Sequence, residues 1–414
     1  MVGRVFSVLL VLLLPNAAAD EFREAFVSVT PANFDDGGPI SRQFHLNAES
    51  YLPMTAITRV EEPRELRVAT EPKISDLLLS LDGDLIRLTD YVAQEPLLDG
   101  VIILKGEEVL FESYSNMQAW QRHFSWSVTK VVTSTGLAAL VDRGLVDMQA
   151  PVERYVTELV GTAWEGIPVQ NIADMASGID CRDSDGYQDT STCVYTMEET
   201  LGITESTGRE LGFLEHLQNM QRLRPAGKLN EYVSANTNVL MLVMEEVTGK
   251  SYTDILQELV WDPIGAESDA LMAISREGYA YASGGLHARL RDIARFGLVF
   301  TRPEDVGVLS NQAVEAMQTE GVPIATDMKS RLSTLFGDDV PERASWQWDL
   351  VWADGAMYKG GYLGQGLYVD PDRDLIVAWF GTGLNYSAEN NQFLPISRQI
   401  SSAMIDLGRQ TESR

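Results

Sequence analysis

Ser127 and Lys130 are the two residues whose types and spacing point most directly to chemistry. They bound the sequence Ser127-Val128-Thr129-Lys130, and an apolar, small-residue run at 131–141 follows that is long enough for a buried helix. Residues three apart on a helix have β-carbons about 5–6 Å apart, so the hydroxyl and the amine can form a hydrogen bond. A serine hydroxyl becomes a good nucleophile when a neighbouring base takes its proton.

A lysine can be that base only if its pKa falls well below its ordinary value of about 10.4, and burial among apolar neighbours lowers it. Valines flank Lys130 on both sides in the sequence, which predicts a desolvated amine. The start of a helix adds free N–H groups and the positive end of the dipole, which favour a developing oxyanion. The alternative is that Ser127 only caps the helix and Lys130 is a solvated side chain.

The elements that must position this pair are predicted from hydrophobic patterning. Residues 101–114 read as a β-hairpin around Gly106, and four β-rich segments lie in the final third of the chain. The middle, from 152 to about 270, is mainly helical, and 393–407 predicts a closing helix. We therefore expect an α+β fold (α/β sandwich), with an antiparallel sheet flanked by N- and C-terminal helices and an inserted, mainly helical domain.

This pattern divides the chain into four predicted units. They are a signal peptide at 1–19, an N-terminal arm at 20–97, an α/β sheet domain at 98–145 and 275–414, and a helical insert at 146–274. The prolines and the Asp35-Asp36-Gly37-Gly38 run predict that the arm is extended with little regular structure. Within the arm, 74–81 and 86–92 are candidate short helices.

Composition excludes some functions. The 414 residues carry a net charge of −28, which argues against nucleic-acid binding because that function requires a basic surface. Arg4, the apolar run 5–14 and the small residues 17–19 predict a secretory signal, so we expect a secreted or periplasmic protein. No other run is apolar enough to predict a membrane anchor after cleavage. Asn385-Tyr386-Ser387 is a glycosylation sequon.

The chain has two cysteines, Cys181 and Cys193. In an exported protein, a pair this close in sequence predicts a disulfide. No histidine lies near them in the sequence, and the four histidines show no metal-ligand spacing, so we predict no metal site. No phosphate loop or cofactor motif is present, and no cofactor is expected.

A serine nucleophile with a lysine base also needs a proton donor for the leaving group, a second oxyanion donor and a wall for the substrate. Two later stretches offer suitable residues. Residues 231–238 contain Tyr232, Ser234 and Asn236, and 358–366 form a glycine-rich strand entry where backbone can approach a ligand closely. Tyr232 has the alternative of a strand-end tyrosine that only packs and hydrogen-bonds.

In chain order, these motifs resemble the serine β-lactamase and penicillin-binding-protein superfamily, whose marks are Ser-x-x-Lys, Tyr-x-Asn or Tyr-x-Ser, and a Lys/His-Thr-Gly strand. The matching residues are Ser127-Val128-Thr129-Lys130, Tyr232-Val233-Ser234 and Lys359-Gly360-Gly361. The resemblance spans about residue 98 to the C-terminus. It is strongest for the branch that contains class C β-lactamases, family VIII carboxylesterases and 6-aminohexanoate-dimer hydrolases.

The resemblance implies catalytic roles for three residues. Ser127 would be the nucleophile that becomes acylated, and Lys130 the base that activates it. Tyr232 would relay a proton to the leaving group and help to activate the water that removes the acyl group. The absence of Gly-x-Ser-x-Gly disfavours an α/β-hydrolase with a Ser-His-Asp triad.

The resemblance also implies binding roles. The oxyanion would lie between the backbone N–H groups of Ser127 and Tyr362, the residue after Gly361. Lys359 would bind a substrate carboxylate or support Tyr232 electrostatically. Ser234 and Asn236, which belong to the Tyr-x-Ser stretch, are further candidates for substrate binding.

Two departures from the superfamily pattern favour one subclass. Ser234 stands where asparagine is usual, and Gly360 stands where threonine is usual. In efficient β-lactamases those two side chains contact the β-lactam, so an esterase or linear amidase acting on a small molecule is favoured. The alternatives are a β-lactamase or D-alanyl-D-alanine peptidase at the same site, and a non-catalytic binding module on this scaffold. The sequence makes no prediction of the oligomeric state.

Overall fold

The computed structural model describes residues 17–69, 72–81, 83–383 and 393–412. Most of the predicted signal sequence (residues 1–16) and the predicted sequon at Asn385 lie outside these ranges, so both stay predictions. In the described part of the chain, no helix is both long enough and apolar enough to cross a lipid bilayer.

The β-strands of the described residues fall into three sheets. They are Met54–Ile57 (β1), Arg67–Val68 (β2), Leu78–Leu81 (β3), Asp84–Arg87 (β4), Leu98–Lys105 (β5), Glu108–Ser113 (β6), Arg122–Phe124 (β7), Ala270–Ala273 (β8), Leu286–Arg289 (β9), Val322–Pro323 (β10), Arg343–Ser345 (β11), Trp348–Val351 (β12), Met357–Gly361 (β13), Gln365–Asp370 (β14) and Leu375–Gly381 (β15).

The α-helices pack on both faces of the largest sheet, and six of them (α5 to α10) lie between β7 and β8 in the chain. They are Ala17–Ser28 (α1), Gly38–Leu46 (α2), Pro72–Ser75 (α3), Leu88–Gln94 (α4), Thr129–Asp142 (α5), Val169–Ala173 (α6), Cys193–Leu201 (α7), Phe213–Asn219 (α8), Ser234–Thr248 (α9), Tyr252–Leu256 (α10), Leu290–Thr301 (α11), Pro303–Val306 (α12), Asn311–Thr319 (α13), Thr326–Phe336 (α14) and Phe393–Glu412 (α15).

The predicted hairpin and the predicted late strands form one sheet. Its order is β10-β11-β12-β13-β14-β15-β5-β6-β2, and all neighbours are antiparallel except β2 and β6. The alternation of side chains along β15 divides the core in two. Ile376 and Ala378 belong to the cluster that includes α5 and α11, whereas Val377 and Trp379 belong to the cluster that includes α15. The predicted α+β sandwich is therefore confirmed.

A second sheet, in the order β1-β8-β9-β7, has no counterpart in the sequence prediction. β7 pairs with β9, with Phe124 opposite His287, and it ends three residues before Ser127. The strand β8 lies inside the range predicted as the helical insert, and it pairs with β1 of the predicted arm. The strands are only three or four residues long, so their local pattern is too short to identify from sequence.

The N-terminal arm has more regular structure than predicted. It contains α2, β1 and the β3–β4 hairpin, and residues 78–81, which were predicted to be helical, form a strand. A short apolar run is compatible with either a helix or a strand, and pairing with β4 decides the outcome here. The prediction of an extended arm was wrong, because buried Phe34 and Phe44 pack the segment onto the main core.

Candidate active site

The serine lies on a 3₁₀ turn, Trp126–Val128, that leads directly into α5. The backbone N–H of Ser125 donates to the carbonyl of Leu286 at 2.8 Å, which ties the turn to β9. Trp126 has φ +44°, a left-handed conformation that is uncommon for a residue with a side chain and that the surrounding structure must impose. Ser127 is partly exposed, so its hydroxyl can meet a ligand.

Lys130 lies one turn further along, with its amine against the serine. Its Nζ donates to Ser127 Oγ at 3.0 Å and to the carbonyl oxygen of Ser283 at 2.7 Å. The side chain is buried, and burial lowers the pKa of Lys130 to about 7. The carboxylates of Asp183 and Asp349 act in the opposite direction, but desolvation outweighs them. A large fraction of this lysine is therefore neutral at pH 7 and able to accept a proton.

Tyr232 lies beside both residues, just before α9. The ammonium of Lys359 donates to its hydroxyl oxygen at 2.8 Å, and the amines of Lys130 and Lys359 lie 5.1 Å and 4.4 Å from the ring centre. Burial, with help from the charges of Asp349 and Asp183, raises the pKa of Tyr232 well above its ordinary value. The tyrosine is thus a neutral phenol that holds a proton it can donate.

Lys359 is buried on β13 and is paired with a carboxylate. Its Nζ lies 2.5 Å from Asp349 Oδ1, and the other oxygen of Asp349 accepts from the N–H of Gly360 at 2.9 Å. Burial lowers the pKa of Lys359, while Asp349 acts to raise it. The direct contact with Tyr232 is the geometry expected if Lys359 supports that tyrosine.

Gly361 ends β13 next to the serine turn, and Tyr362 follows it. A Cβ on Gly361 would lie 2.8 Å from the carbonyl oxygen of Ser125, so only glycine permits this close approach of the two backbones. The sequence predicted that the backbone at 358–366 can approach a ligand closely. In the structure, the backbone of Gly361 approaches the serine turn itself. Tyr362 begins the turn from β13 to β14, and its ring meets that of Trp126 edge to face at 5.5 Å.

Ser234 is the first residue of α9, and both its backbone and its side chain bind Asp183. Its N–H and its hydroxyl donate to the two carboxylate oxygens at 2.8 and 2.5 Å. Tyr187 Oη also donates to Asp183. A carboxylate at a helix N-terminus is favourable. Here the Asp183 carboxylate also accepts the hydrogen bond that the Ser234 hydroxyl donates.

Asn236 is fully buried in the first turn of α9, where its amide donates to the sulfur of Met175 at 3.4 Å. The structure thus brings Ser127, Lys130, Tyr232 and Lys359 together, while the contact of Asn236 is with the core. The helix begins earlier than the predicted start near residue 240. Side chains of low helix propensity are tolerated in its first turns because they are buried and bonded to the rest of the fold.

Sequence reasoning missed four residues at this site. Three of them, Asp183, Ser283 and Asp349, contact the predicted residues directly. The fourth, Glu198, is buried on α7 and accepts a 2.6 Å hydrogen bond from Tyr281. Burial raises the pKa of Glu198 to about 8. Ser283 had a signal, since it stands in the Ser-Gly-Gly turn before β9. The three acids had none that distinguishes them from the many other acidic residues of this chain.

Cys181 and Cys193 form a disulfide with an S–S distance of 2.09 Å. It closes the loop that carries Asp183 and Tyr187. No histidine lies near the cysteines in the sequence, but the prediction that none lies near them in the fold was wrong. His216 Nε2 is 3.6 Å from Cys193 Sγ. These three residues are a possible ligand set by distance, but two sulfurs joined to each other are not thiolate ligands.

The arrangement has the parts of an acyl-transfer site. A serine hydroxyl contacts a lysine that is partly neutral at pH 7, a protonated tyrosine stands beside them, and the backbone of Gly361 and Tyr362 comes close to the serine turn.

Comparison with known proteins gives an independent result. The sequence profile of the Beta-lactamase family matches residues 99–393. The chain is 30% identical over 333 residues to the 6-aminohexanoate-dimer hydrolase of Paenarthrobacter ureafaciens, and the match covers 79% of this chain and 81% of that protein.

The fold is similar to that of solved structures. A Bacillus anthracis protein described as a 6-aminohexanoate-dimer hydrolase superposes with a TM-score of 0.76 at 20% identity, over 92% of this chain and 98% of that one. A family VIII carboxylesterase gives a TM-score of 0.55 at 15% identity, over 75% and 95% of the two chains. At these sequence identities, the structural matches show that the fold is shared and carry no information about activity.

Proposed function

This chain belongs to the Beta-lactamase family and is a serine hydrolase, and we propose that it is an exported enzyme that cleaves small ester or linear amide bonds through an acyl-enzyme on Ser127. The observation that carries the proposal is the 3.0 Å contact between the hydroxyl of Ser127 and the buried amine of Lys130. A surface lysine would be charged and could not act as a base.

In the proposed acylation step, neutral Lys130 accepts the proton of Ser127 while the serine oxygen adds to the carbonyl carbon of the substrate. The carbonyl oxygen becomes an oxyanion, which accepts hydrogen bonds from the backbone N–H groups of Ser127 and Tyr362. Tyr232 then donates its proton to the leaving oxygen or nitrogen as that bond breaks. The proton held by Lys130 restores the Tyr232 phenol.

In the proposed deacylation step, a water molecule adds to the acyl carbon and its proton passes to the Tyr232–Lys130 pair. The serine oxygen leaves and recovers a proton from Lys130, which returns the enzyme to its starting state. Lys359 stays an ammonium paired with Asp349 and stabilises negative charge that develops on the Tyr232 oxygen. In this proposal Lys359 supports the tyrosine and does not bind the substrate.

Open-chain substrates are favoured by two observations. A relative that matches most of this chain is named a 6-aminohexanoate-dimer hydrolase, and that name denotes a linear amidase. The Ser234 hydroxyl is bonded to Asp183, and Gly360 has no side chain. Neither residue supplies the side-chain contact that a β-lactam receives in efficient β-lactamases.

A β-lactamase or D-alanyl-D-alanine peptidase remains the second candidate, because the matching family profile is that of β-lactamases. Nitrocefin hydrolysis and release of D-alanine from a D-alanyl-D-alanine peptide separate the two from the first proposal. The third candidate, a non-catalytic binding module, is set aside because the chain is a member of an enzyme family and keeps its serine and lysine.

Export is supported by the predicted signal sequence and by the disulfide between Cys181 and Cys193. Disulfides persist in oxidising compartments and are uncommon in the cytosol. Determination of the N-terminal residue of the native protein tests this part, since the proposal expects cleavage after Ala19.

The first experiment compares wild-type protein with Ser127→Ala. We expect p-nitrophenyl butyrate or a 6-aminohexanoate dimer to leave an acyl group on Ser127 in intact-mass spectra of the wild type. The alanine variant should fold normally but lose at least about 10³-fold of its turnover, because the nucleophile is gone. Hydrolysis by Ser127→Ala at the wild-type rate would refute the assignment.

A further inference from the structure

The N-terminal segment 29–51, which contains α2, packs against both parts of the proposed oxyanion site. It lies outside the family match, which begins at residue 99. Its sequence predicts no role in the site. Two of its polar side chains, Asp35 and His45, are buried and make hydrogen bonds to residues beside the nucleophile.

Asp35 binds the turn that carries the second oxyanion donor. Its carboxylate is only 5% exposed, and Oδ2 accepts from Tyr362 Oη at 3.1 Å and from Gln188 Nε2 at 2.9 Å. Hydrogen bonds to a charged acceptor are stronger than those between neutral groups. Asp35 therefore fixes the side chain of the residue whose backbone N–H is proposed to face the oxyanion.

His45 binds the turn that carries the first donor. Its Nε2 accepts from the indole Nε1–H of Trp126 at 2.7 Å, and both side chains are buried. Trp126 immediately precedes Ser127 and holds the left-handed φ of +44°. Phe34 and Phe44 of the same segment pack on the indole, with ring centres 5.9 and 6.1 Å away.

We propose that the N-terminal segment positions the oxyanion site, with Asp35 holding the Tyr362 turn and His45 holding the Trp126 turn so that the two backbone N–H groups converge. The inference rests on the proposed function. Oxyanion stabilisation depends on donors that are already in place, and a displacement of about 1 Å is enough to lose about 10²-fold in rate. Asp35 and His45 are positioning residues, because they act through Tyr362 and Trp126.

The test compares Asp35→Ala and Asp35→Asn with the matched control Asp36→Asn in the mature protein. Asp36 is the neighbouring carboxylate and is exposed. Two quantities are measured: kcat and KM for p-nitrophenyl butyrate, and the inhibition constant of n-butylboronic acid. The serine oxygen adds to the trigonal boron while its proton passes to Lys130, and a boron-bound oxygen then occupies the oxyanion site.

We expect Asp35→Ala to lower kcat about 10- to 100-fold with little change in KM, and to weaken the boronic acid by a similar factor. Asp35→Asn keeps an acceptor oxygen and should lose less, while Asp36→Asn should stay within about twofold of wild type. Tyr362→Phe removes the same hydrogen bond from the other side. It should reproduce the Asp35→Ala loss, and the double variant should lose no more than either single variant.

His45 is tested by a pair of substitutions. His45→Leu removes the acceptor for the Trp126 indole, whereas His45→Gln keeps one. The leucine variant should lose about tenfold or more in kcat and in boronic acid affinity, and the glutamine variant should recover part of both. Equal losses in the two variants would show that packing alone matters at this position, and would remove His45 from the proposal.

Three results would overturn the inference. The first is an Asp35→Ala enzyme with wild-type kcat and boronic acid affinity. The second is an Asp35→Ala enzyme that melts at a lower temperature but whose folded fraction keeps the wild-type kcat and boronic acid affinity. Both leave the proposed function intact, since the wild type still forms its Ser127 adduct. The third is a wild type that forms no adduct with ester or boronic acid, which overturns the proposed function as well.

Discussion

Two buried lysines flank Tyr232, and their surroundings differ in one respect. Lys130 donates to the Ser127 hydroxyl and the Ser283 carbonyl, both uncharged oxygens, whereas Lys359 lies 2.5 Å from the carboxylate of Asp349. Burial lowers the pKa of both amines. At Lys130 the pKa falls to about 7, and the lysine can be a base. At Lys359 the direct ion pair favours the ammonium.

The comparison shows that burial alone does not make a lysine a base. Both side chains are almost inaccessible to solvent and both touch the same tyrosine, so the nearest oxygen decides which one releases its proton. A carboxylate within hydrogen-bond distance stabilises the charged amine, while hydroxyl and carbonyl oxygens do so only weakly. Four predictions test this division of roles.

The largest effect is expected for Lys130→Met, which keeps the length of the side chain but removes the base. We expect kcat/KM for p-nitrophenyl butyrate to fall about 10³-fold. The free energy of unfolding should stay the same or rise, because a buried amine without a carboxylate partner is replaced by an apolar group. Activity within tenfold of wild type would mean that another group deprotonates Ser127.

A smaller loss is expected for Lys359→Met. The variant removes the hydrogen bond to the Tyr232 oxygen and leaves the Asp349 carboxylate without its cation. We expect a 10- to 100-fold decrease in kcat/KM and a decrease of about 2 kcal/mol in unfolding free energy. The order of the two variants in stability should therefore be the reverse of their order in activity.

Asp349→Asn is the matched control for that experiment, because it removes the charge and keeps the shape. The pKa of Lys359 should then fall further, since its partner no longer favours the ammonium. Relative to wild type at the same pH, activity should drop to the level of Lys359→Met above neutral pH, and this relative loss should become smaller below it, where the amine regains its proton. A pH-independent loss would argue against an ammonium role for Lys359.

The smallest effect, about tenfold, is expected when the pH of the wild-type assay is lowered by one unit below the pKa of Lys130. Lys130 must be neutral to accept the serine proton, so kcat/KM should rise with pH through about 7 and reach a plateau above it. Below that point, activity should fall about tenfold per pH unit. The rate profile of Lys359→Met should keep the same midpoint within about one unit, and a profile that is flat from pH 5 to 9 would contradict the assignment of Lys130 as the base.

The sequence predicted a good part of the fold because the signals are local. Continuous apolar runs at 101–104 and 375–380 define the centre of the main sheet, and they pair as β5 and β15. The Ser-x-x-Lys spacing predicted one shared helical face, which the 3.0 Å contact confirms. The second sheet was missed because its strands are short and come from distant parts of the chain.

Some features of the site were decided only by the tertiary structure. Asp35 reaches Tyr362 across 327 positions of sequence, and Asp183 reaches Ser234 across 51. In a chain with 60 acidic residues, nothing local distinguishes these carboxylates from solvated ones. Two further features were also decided only by the tertiary structure. They are the early start of α9 and the short distance between His216 and the disulfide.

The sequence by itself identified the serine and lysine of the Ser-x-x-Lys motif, and the tyrosine and second lysine that lie beside them, because spacing along one helix and the order of short motifs are properties of the chain. It did not show how the surroundings of each lysine set its pKa, or what the N-terminal segment contacts. The tertiary structure decided both, since a pKa depends on desolvation and on the nearest charge. Those surroundings come from residues that only folding brings together.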